Sequence, residues 1–253
     1  MTIKTVAIVG DNLIAKELSN SFQDTPHVHL VDEQALNDQV DVVIETMNLD
    51  KEEKRRRIKE IEASVSPTTL ILSTTLGVTA TEVASWLFQP ERLIGFGTFA
   101  NFRKGSLIEV ALPLQADASY LQAATDTFSF INQDIEVVED EVGFVFPRIL
   151  SMIINEAAYA LSEQTAEAEA IDVAMKKGTN YPMGPLEWAG EIGLDDIFAV
   201  LSGLYRELGG ERYRPAPLIR KLVYAGWIGG ETDKCFYHYQ NRLTLSSSKP
   251  LLK

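Results

Sequence analysis

The amino-acid sequence predicts an α/β domain built on a doubly wound parallel sheet, followed by an all-helical C-terminal domain. Three observations carry this expectation. Apolar strand-like runs alternate with helix-like runs over residues 1–140. The chain opens on a strand, a glycine turn and a helix. After IEVVEDEVGF the strand signals stop and long helical stretches take over, so the two domains are expected at 1–140 and 141–253.

Taken in order, TVAIVG reads as a buried strand ending in a glycine turn, and LIAKELSNSF as a helix with Leu13, Leu18 and Phe22 on one face. VHLVD and VDVVIET are two further strands, and Lys51 to Val65 is a charged helix. TLILST is a strand, Thr79 to Leu87 a short helix with Thr79 and Glu82 spaced as a capping box, and RLIGFGTF and LIEVALP are strands. Near-continuous apolar strands alternating with helices imply a parallel sheet covered on both faces. A strand, glycine turn and helix at the start make it a Rossmann-type nucleotide fold. The second half reads as helices at Ile149 to Gln164, Glu167 to Lys177, Asp195 to Leu208 and Leu218 to Ala225. GTNYPMGPLEWAG, rich in Gly and Pro, reads as a structured loop between two of them.

The bulk numbers narrow the function. A net charge of −13 argues against nucleic acid or an anionic membrane as a partner, and means that an anionic ligand needs a local basic patch. The single cysteine, Cys235, excludes an internal disulfide and suits a reducing compartment. With no secretory cleavage pattern after Met1 and no apolar run long enough to span a bilayer, a cytoplasmic protein is expected. No metal-ligand spacing, no nucleophile elbow and no P-loop occur. Trp86, Phe88, Trp188 and Trp227 are expected in the core or at a domain interface.

At the glycine turn the six fingerprint positions are Gly10, Asp11, Asn12, Leu13, Ile14 and Ala15. Gly10 supports the tight turn, and Ala15 is an accepted substitute where helix and strand pack closely. Asn12 stands where glycine lets the backbone approach a pyrophosphate. Asp32 ends the second strand, where an acid bonds the ribose hydroxyls of NAD rather than accepting the phosphate of NADP. Two readings stay open at this point: weak NAD binding, or a strand–helix turn that no longer takes nucleotide. The basic run KEEKRRRIKE has two readings as well, a phosphate site through Lys54 or a solvated helix face with ions three to four residues apart.

The segments VIETMNLDKEEKRR, LILSTTLGVTATEVA, ERLIGFGTFANFRKGSLIEVA, EVGFVFPRILSMIINEAAYAL, IDVAMKKGTNYPMGPLEWAGEIGLD, ERYRPAPLIRKLVYAG and FYHY together resemble the 3-hydroxyacyl-CoA dehydrogenase family almost end to end. PMGP at Pro182 to Pro185 and RYRPAPL at Arg212 to Leu218 are the most specific pieces. The resemblance implies an NAD-binding Rossmann domain, a helical domain that forms a homodimer, an acyl-CoA substrate and an active site between domains. Lys54 matches a lysine near the family's nucleotide contacts. It also implies positions for the catalytic groups, and here the chain departs from the pattern. The family's histidine base falls on Gly97, its substrate-contacting serine on Leu76 and its asparagine on Pro147, while the glutamate that orients the histidine is kept as Glu109. Pro147 also suits the first turn of a helix. The family's helical insertion after the second strand shrinks to EQALNDQV between Asp32 and Asp41, which predicts a more open substrate site. A positioned base contributes about 10²–10⁴-fold to removing a hydroxyl proton. Three functions follow as expectations: an impaired family member that binds NAD or acyl-CoA, an active dehydrogenase of altered chemistry, or a dimeric assembly module with no activity.

Overall fold

The structure, a computed structural model, describes residues 3–23, 25–101 and 106–247, with the backbone alone for 242–247. Residues 102–105, part of the GTFANFRKG segment, lie outside the described residues, as do Met1 and Thr2. By compactness the chain divides into two units, Met1–Arg148 and Ile149–Lys253.

The first unit runs β1 (Lys4–Val9), α1 (Leu13–Gln23), β2 (Val28–Val31), a 3₁₀ turn at Glu33–Ala35, β3 (Val42–Glu45), α2 (Lys51–Ser64), β4 (Leu70–Thr74), α3 (Ala80–Ala84), β5 (Leu93–Gly97), β6 (Leu107–Ala111), α4 (Ser119–Ser129) and β7 (Asp134–Val137). One sheet holds all seven strands in the order β2-β1-β3-β4-β5-β6-β7. Its faces follow from the pleat: Gly95 faces Ala80 of α3, while the next residue, Phe96, packs on Phe128 of α4 with ring centroids 5.4 Å apart. Ile58 and Ile61 of α2 and Val83 and Ala84 of α3 cover Val9, Val43 and Ile71 in one cluster. On α1 the buried stripe is Ile14, Ala15, Leu18 and Phe22, with Leu13 only half-buried.

The sheet is not wholly parallel. β5 and β6 pair antiparallel, with Gly97 opposite Glu109, and the other neighbours pair parallel. The cause was visible in the chain. A parallel connection needs a crossover, usually a helix, and no helical run separates RLIGF from LIEV. α4 and β7 had no clear signal of their own.

Residues 141–148 stay with the sheet rather than with the helices, because Glu109 of β6 accepts hydrogen bonds from the backbone of Val145 and Phe146. The helix that begins here, α5 (Phe146–Ser162), carries Pro147 in its first turn. The second unit adds α6 (Ala168–Thr179), α7 (Pro185–Ile192), α8 (Leu194–Leu208), α9 (Pro217–Tyr224) and α10 (Phe236–Ser247). The GTNYPMGPLEWAG segment is therefore more than a loop: Pro185 opens α7 with its φ already set for a helix. Asp172 of α6 accepts from the amides of Leu186 and Glu187, each at 2.8 Å, and from the Tyr237 hydroxyl, also at 2.8 Å. Burial and that carboxylate push the Tyr237 phenol up. Burial likewise pushes the Cys235 thiol up to about 12, so it is a packing group and not a nucleophile. Phe88 corrects an expectation: it is 95% exposed, while Trp86 leans partly buried on the core of the first unit. No described helix is long and apolar enough to cross a membrane.

Candidate functional site

The carboxyl ends of β1 to β5 are where an open α/β sheet places ligands. At β1, Gly10 has φ +137° and lies so close to Thr46, just past β3, that any Cβ would overlap the threonine hydroxyl. Only glycine serves there, on both counts. Asn12 corrects an expectation. Its carboxamide does not stand free over the turn. Nδ2 donates to Thr46 O at 2.7 Å, and Oδ1 accepts from Ala15 N at 3.0 Å, which caps α1. The side chain is folded down onto backbone, at the cost of one helix-terminal amide. Ala15 is 3% exposed, packed as the fingerprint requires. Asp32 follows β2 directly; its carboxylate is exposed and makes no capping bond to the 3₁₀ turn after it.

Lys54 corrects the reading of KEEKRRRIKE as a solvated face. It is 1% exposed. Its ammonium is bonded to Glu45 of β3, to Met47 O at 2.8 Å and to Thr74 O at 2.7 Å. Glu45, fully buried, also accepts from Ser73 Oγ at 2.5 Å and from Met47 N at 2.7 Å. This polar knot ties the ends of β3 and β4 to α2. The three donors of the ammonium are all taken up inside the protein. Around it, Arg56 does pair with Glu53 and Glu60 on the exposed face, as the spacing predicts. The sequence pointed to Lys54 but not to its partners; the one available signal was an acid ending a fully apolar strand.

At β5 and β6 lie the two positions that the resemblance assigns to the catalytic histidine and its glutamate. Gly97 and Glu109 are direct cross-strand partners. A Cβ at Gly97 would overlap the ring of Phe144. Phe144 therefore fills the volume that an imidazole on Gly97 would enter. It does so with φ +54°, a left-handed backbone that an aromatic residue rarely adopts. Glu109, 5% exposed, accepts from Val145 N through Oε2 at 2.6 Å and from Phe146 N through Oε1 at 2.7 Å. Both carboxylate oxygens thus face the N-terminus of α5, where a negative charge is favoured by the helix dipole. Pro147 has no N–H to satisfy, and Arg148 N donates to Gly143 O at 2.8 Å, so the first turn of α5 is complete. Leu76 is fully buried. Phe144 went unnoticed in the sequence because an aromatic residue after glycine carries no chemical signal.

Neither histidine of the first unit lies at the Gly97 end of the sheet. His27 and His29 lie at the start of β2, at the sheet end opposite Gly97: the His27 carbonyl accepts from Lys4 N, and His29 pairs with Thr5. His238, in the second unit, packs edge-on against Trp227 with ring centroids 4.8 Å apart. Among the described residues no group of His, Cys, Asp or Glu could hold a metal ion.

Comparison with known proteins fits this frame. The family model described as "3-hydroxyacyl-CoA dehydrogenase, NAD binding domain" matches residues 6–141, and its "C-terminal domain" counterpart matches residues 143–239. The chain is 37% identical over 200 residues to a 3-hydroxybutyryl-CoA dehydrogenase of Bradyrhizobium diazoefficiens, covering 79% of this chain and 68% of the relative. It is 36% identical over 205 residues to a probable 3-hydroxybutyryl-CoA dehydrogenase of Bacillus subtilis, covering 80% and 70%. The crystal structure of (S)-3-hydroxybutyryl-CoA dehydrogenase from Ralstonia eutropha superposes with a TM-score of 0.74 at 28% identity, over 92% of this chain and 98% of that one. With its NAD-binding domain at the front and its helical domain behind, this chain belongs to the 3-hydroxyacyl-CoA dehydrogenase family.

Proposed function

We propose that this protein binds NAD and a CoA thioester, and that its hydride-transfer step is impaired. Supporting the cofactor, Gly10 leaves the turn open, the Asn12 carboxamide is tied down to Thr46 and Ala15, and Asp32 presents an exposed acid at the end of β2. Bound NAD would supply the hydride acceptor. Asp32 would bond a ribose and the α1 N-terminus would face the pyrophosphate. Lys54 would act on that site through Glu45 and the ends of β3 and β4, rather than by touching the phosphate itself. The CoA thioester rests on what the relatives are named for. A homodimer through the second unit is supported by its exposed apolar side chains Ile149, Leu208 and Tyr224.

The single observation that carries impairment is the Phe144 ring against Gly97, beside a Glu109 whose oxygens both receive backbone amides. The phenyl ring takes no proton from a secondary alcohol, and the Glu109 carboxylate is held by the helix amides rather than by an imidazole it could orient. The second reading, an active dehydrogenase on a 3-hydroxyacyl-CoA, is favoured by the 37% identity to an enzyme of that name.

Two assays separate them. Fluorescence titration with NADH is expected to give saturable binding. NADH oxidation with acetoacetyl-CoA is expected to be slow; a turnover of about 1 s⁻¹ or more, ordinary for an enzyme, would sink the impaired reading. A sharper probe rebuilds the lost groups. Gly97→His with Leu76→Ser and Pro147→Asn is expected to stay inactive while Phe144 occupies the space. Adding Phe144→Ala is expected to raise the rate by about tenfold or more, within the range a positioned base supplies.

A further inference from the structure

The two most exposed large apolar side chains among the described residues both flank α3. Phe88, past its C-terminal end, is 95% exposed, and Leu114, beside its start, is 93% exposed. Leu114 N donates to Thr81 Oγ1 at 3.1 Å, which places it beside the first turn. Phe88 stands on a fixed backbone. Its N–H donates to both oxygens of Glu62, at 3.1 and 3.0 Å, the Gln89 N–H donates to the same carboxylate at 2.9 Å, and Pro90 follows. An aromatic ring held out in this way loses little freedom on binding. At the other end of α3 lies a hollow of about 920 Å³, floored by Leu112, Leu114 and Val137 and bordered by Thr81. The charges are divided along the same line. Lys51 of α2 pairs with Glu82 near the start of α3, and Glu62 of α2 meets Phe88 past its end. Lys51, Arg55, Lys59 and Glu62 are three or four residues apart, so this stripe of α2 runs alongside α3. Arg55 and Lys59 on it are exposed and have no ion-pair partner among the described residues. Glu139 and Glu141, exposed on the rim of the hollow, have none there either.

We propose that this α3 face of the first unit docks on the same face of a second copy of the chain. A two-fold axis across α3 turns knob toward hollow. Each Phe88 enters the other copy's hollow beside Leu114, and each Arg55 and Lys59 meet the other copy's Glu139 and Glu141. A knob and a hollow, with free cations beside one and free acids beside the other, make a self-complementary face, as a two-fold contact requires. Each copy carries a net charge of −13, so two copies repel at a distance and their contact needs locally opposite charges. A partner of one charge would answer only half of this face. The contact is separate from the homodimer proposed through the second unit, and with both in place the chain assembles as four copies.

The test uses the full-length chain in sedimentation velocity over a roughly hundredfold range of concentration, where mass action separates the assembly states. Phe88→Ser, at a solvated position, leaves the fold intact and is expected to weaken self-association by about thirtyfold, the value of an aromatic anchor at the centre of an interface. Reversing the cations, Arg55→Glu with Lys59→Glu, is expected to weaken it by about tenfold through like-charge contact, and reversing the acids, Glu139→Lys with Glu141→Lys, by the same amount. The variant with all four reversals is expected to return to within about threefold of wild type, a rescue that neither a second-unit contact nor a foreign partner produces. Four copies in wild type falling to two in Phe88→Ser support this contact alongside the second-unit homodimer. Two copies falling to one support it and remove the second-unit homodimer. If Phe88→Ser and the reversals keep the wild-type mass at every concentration, the contact between copies is overturned. If each pair of reversals weakens assembly and the fourfold variant does not recover, the two-fold pairing is overturned.

Discussion

Two buried carboxylates stand at the ligand end of one sheet and are handled in opposite ways. Glu45 closes β3 and is neutralised by a cation, Lys54, with Ser73 and the Met47 amide completing its shell. Glu109 lies on β6 and accepts from two backbone amides at the start of α5, with no cation paired to it among the described residues. Glu45 thus belongs to a knot that fixes strand ends beneath a nucleotide site. Glu109 caps the start of α5. One carboxylate sits in a knot centred on a cation, and the other sits on the amides that open a helix.

The largest expected effect breaks the first of these. Lys54→Met leaves Glu45 buried without its partner and should cost about 3–5 kcal/mol, a drop in Tm of roughly 10 °C for a chain of this size. The double variant Lys54→Met with Glu45→Met should recover most of that loss, since an apolar pair of similar volume carries no desolvation penalty; a thermal scan of the three proteins decides it. Next comes Glu109. Glu109→Ala should lose about 2 kcal/mol in urea unfolding, with Glu109→Gln losing about half as much because one acceptor remains. Should Glu109→Ala abolish a measurable turnover at unchanged stability, the carboxylate is catalytic and the contrast with Glu45 is wrong. The smallest effect is at Asn12. Asn12→Gly should cost only a few tenths of a kcal/mol as a cap, and it frees the Ala15 amide; NADH is then expected to bind roughly threefold tighter.

Much of this was legible beforehand, for local reasons. β1 to β6 are apolar runs of strand length, and the helices show in the 3.6-residue rhythm of residues such as Ile58 and Ile61 or Leu18 and Phe22. The assignment of Gly97, Leu76 and Pro147 to the family's catalytic positions comes from resemblance alone. What stayed hidden was long-range. The antiparallel run of β6 depends on a missing crossover, and the partners of Lys54 come from Met47, Glu45 and Thr74 on other segments. Arg57 looked like one more charge on a solvated face until Glu33 was seen across from it.

The sequence by itself determined the strand–helix order and the family, and put a glycine at position 97, because periodicity, composition and residue identity are properties of a chain read in one dimension. Only the tertiary structure decided what packs against Gly97 and where the charges went. Phe144 meets Gly97, and Glu109 meets the start of α5, across gaps of tens of residues along the chain. Which ring fills a vacated volume, and which carboxylate caps which helix, is fixed by close packing in space, and no local pattern encodes it.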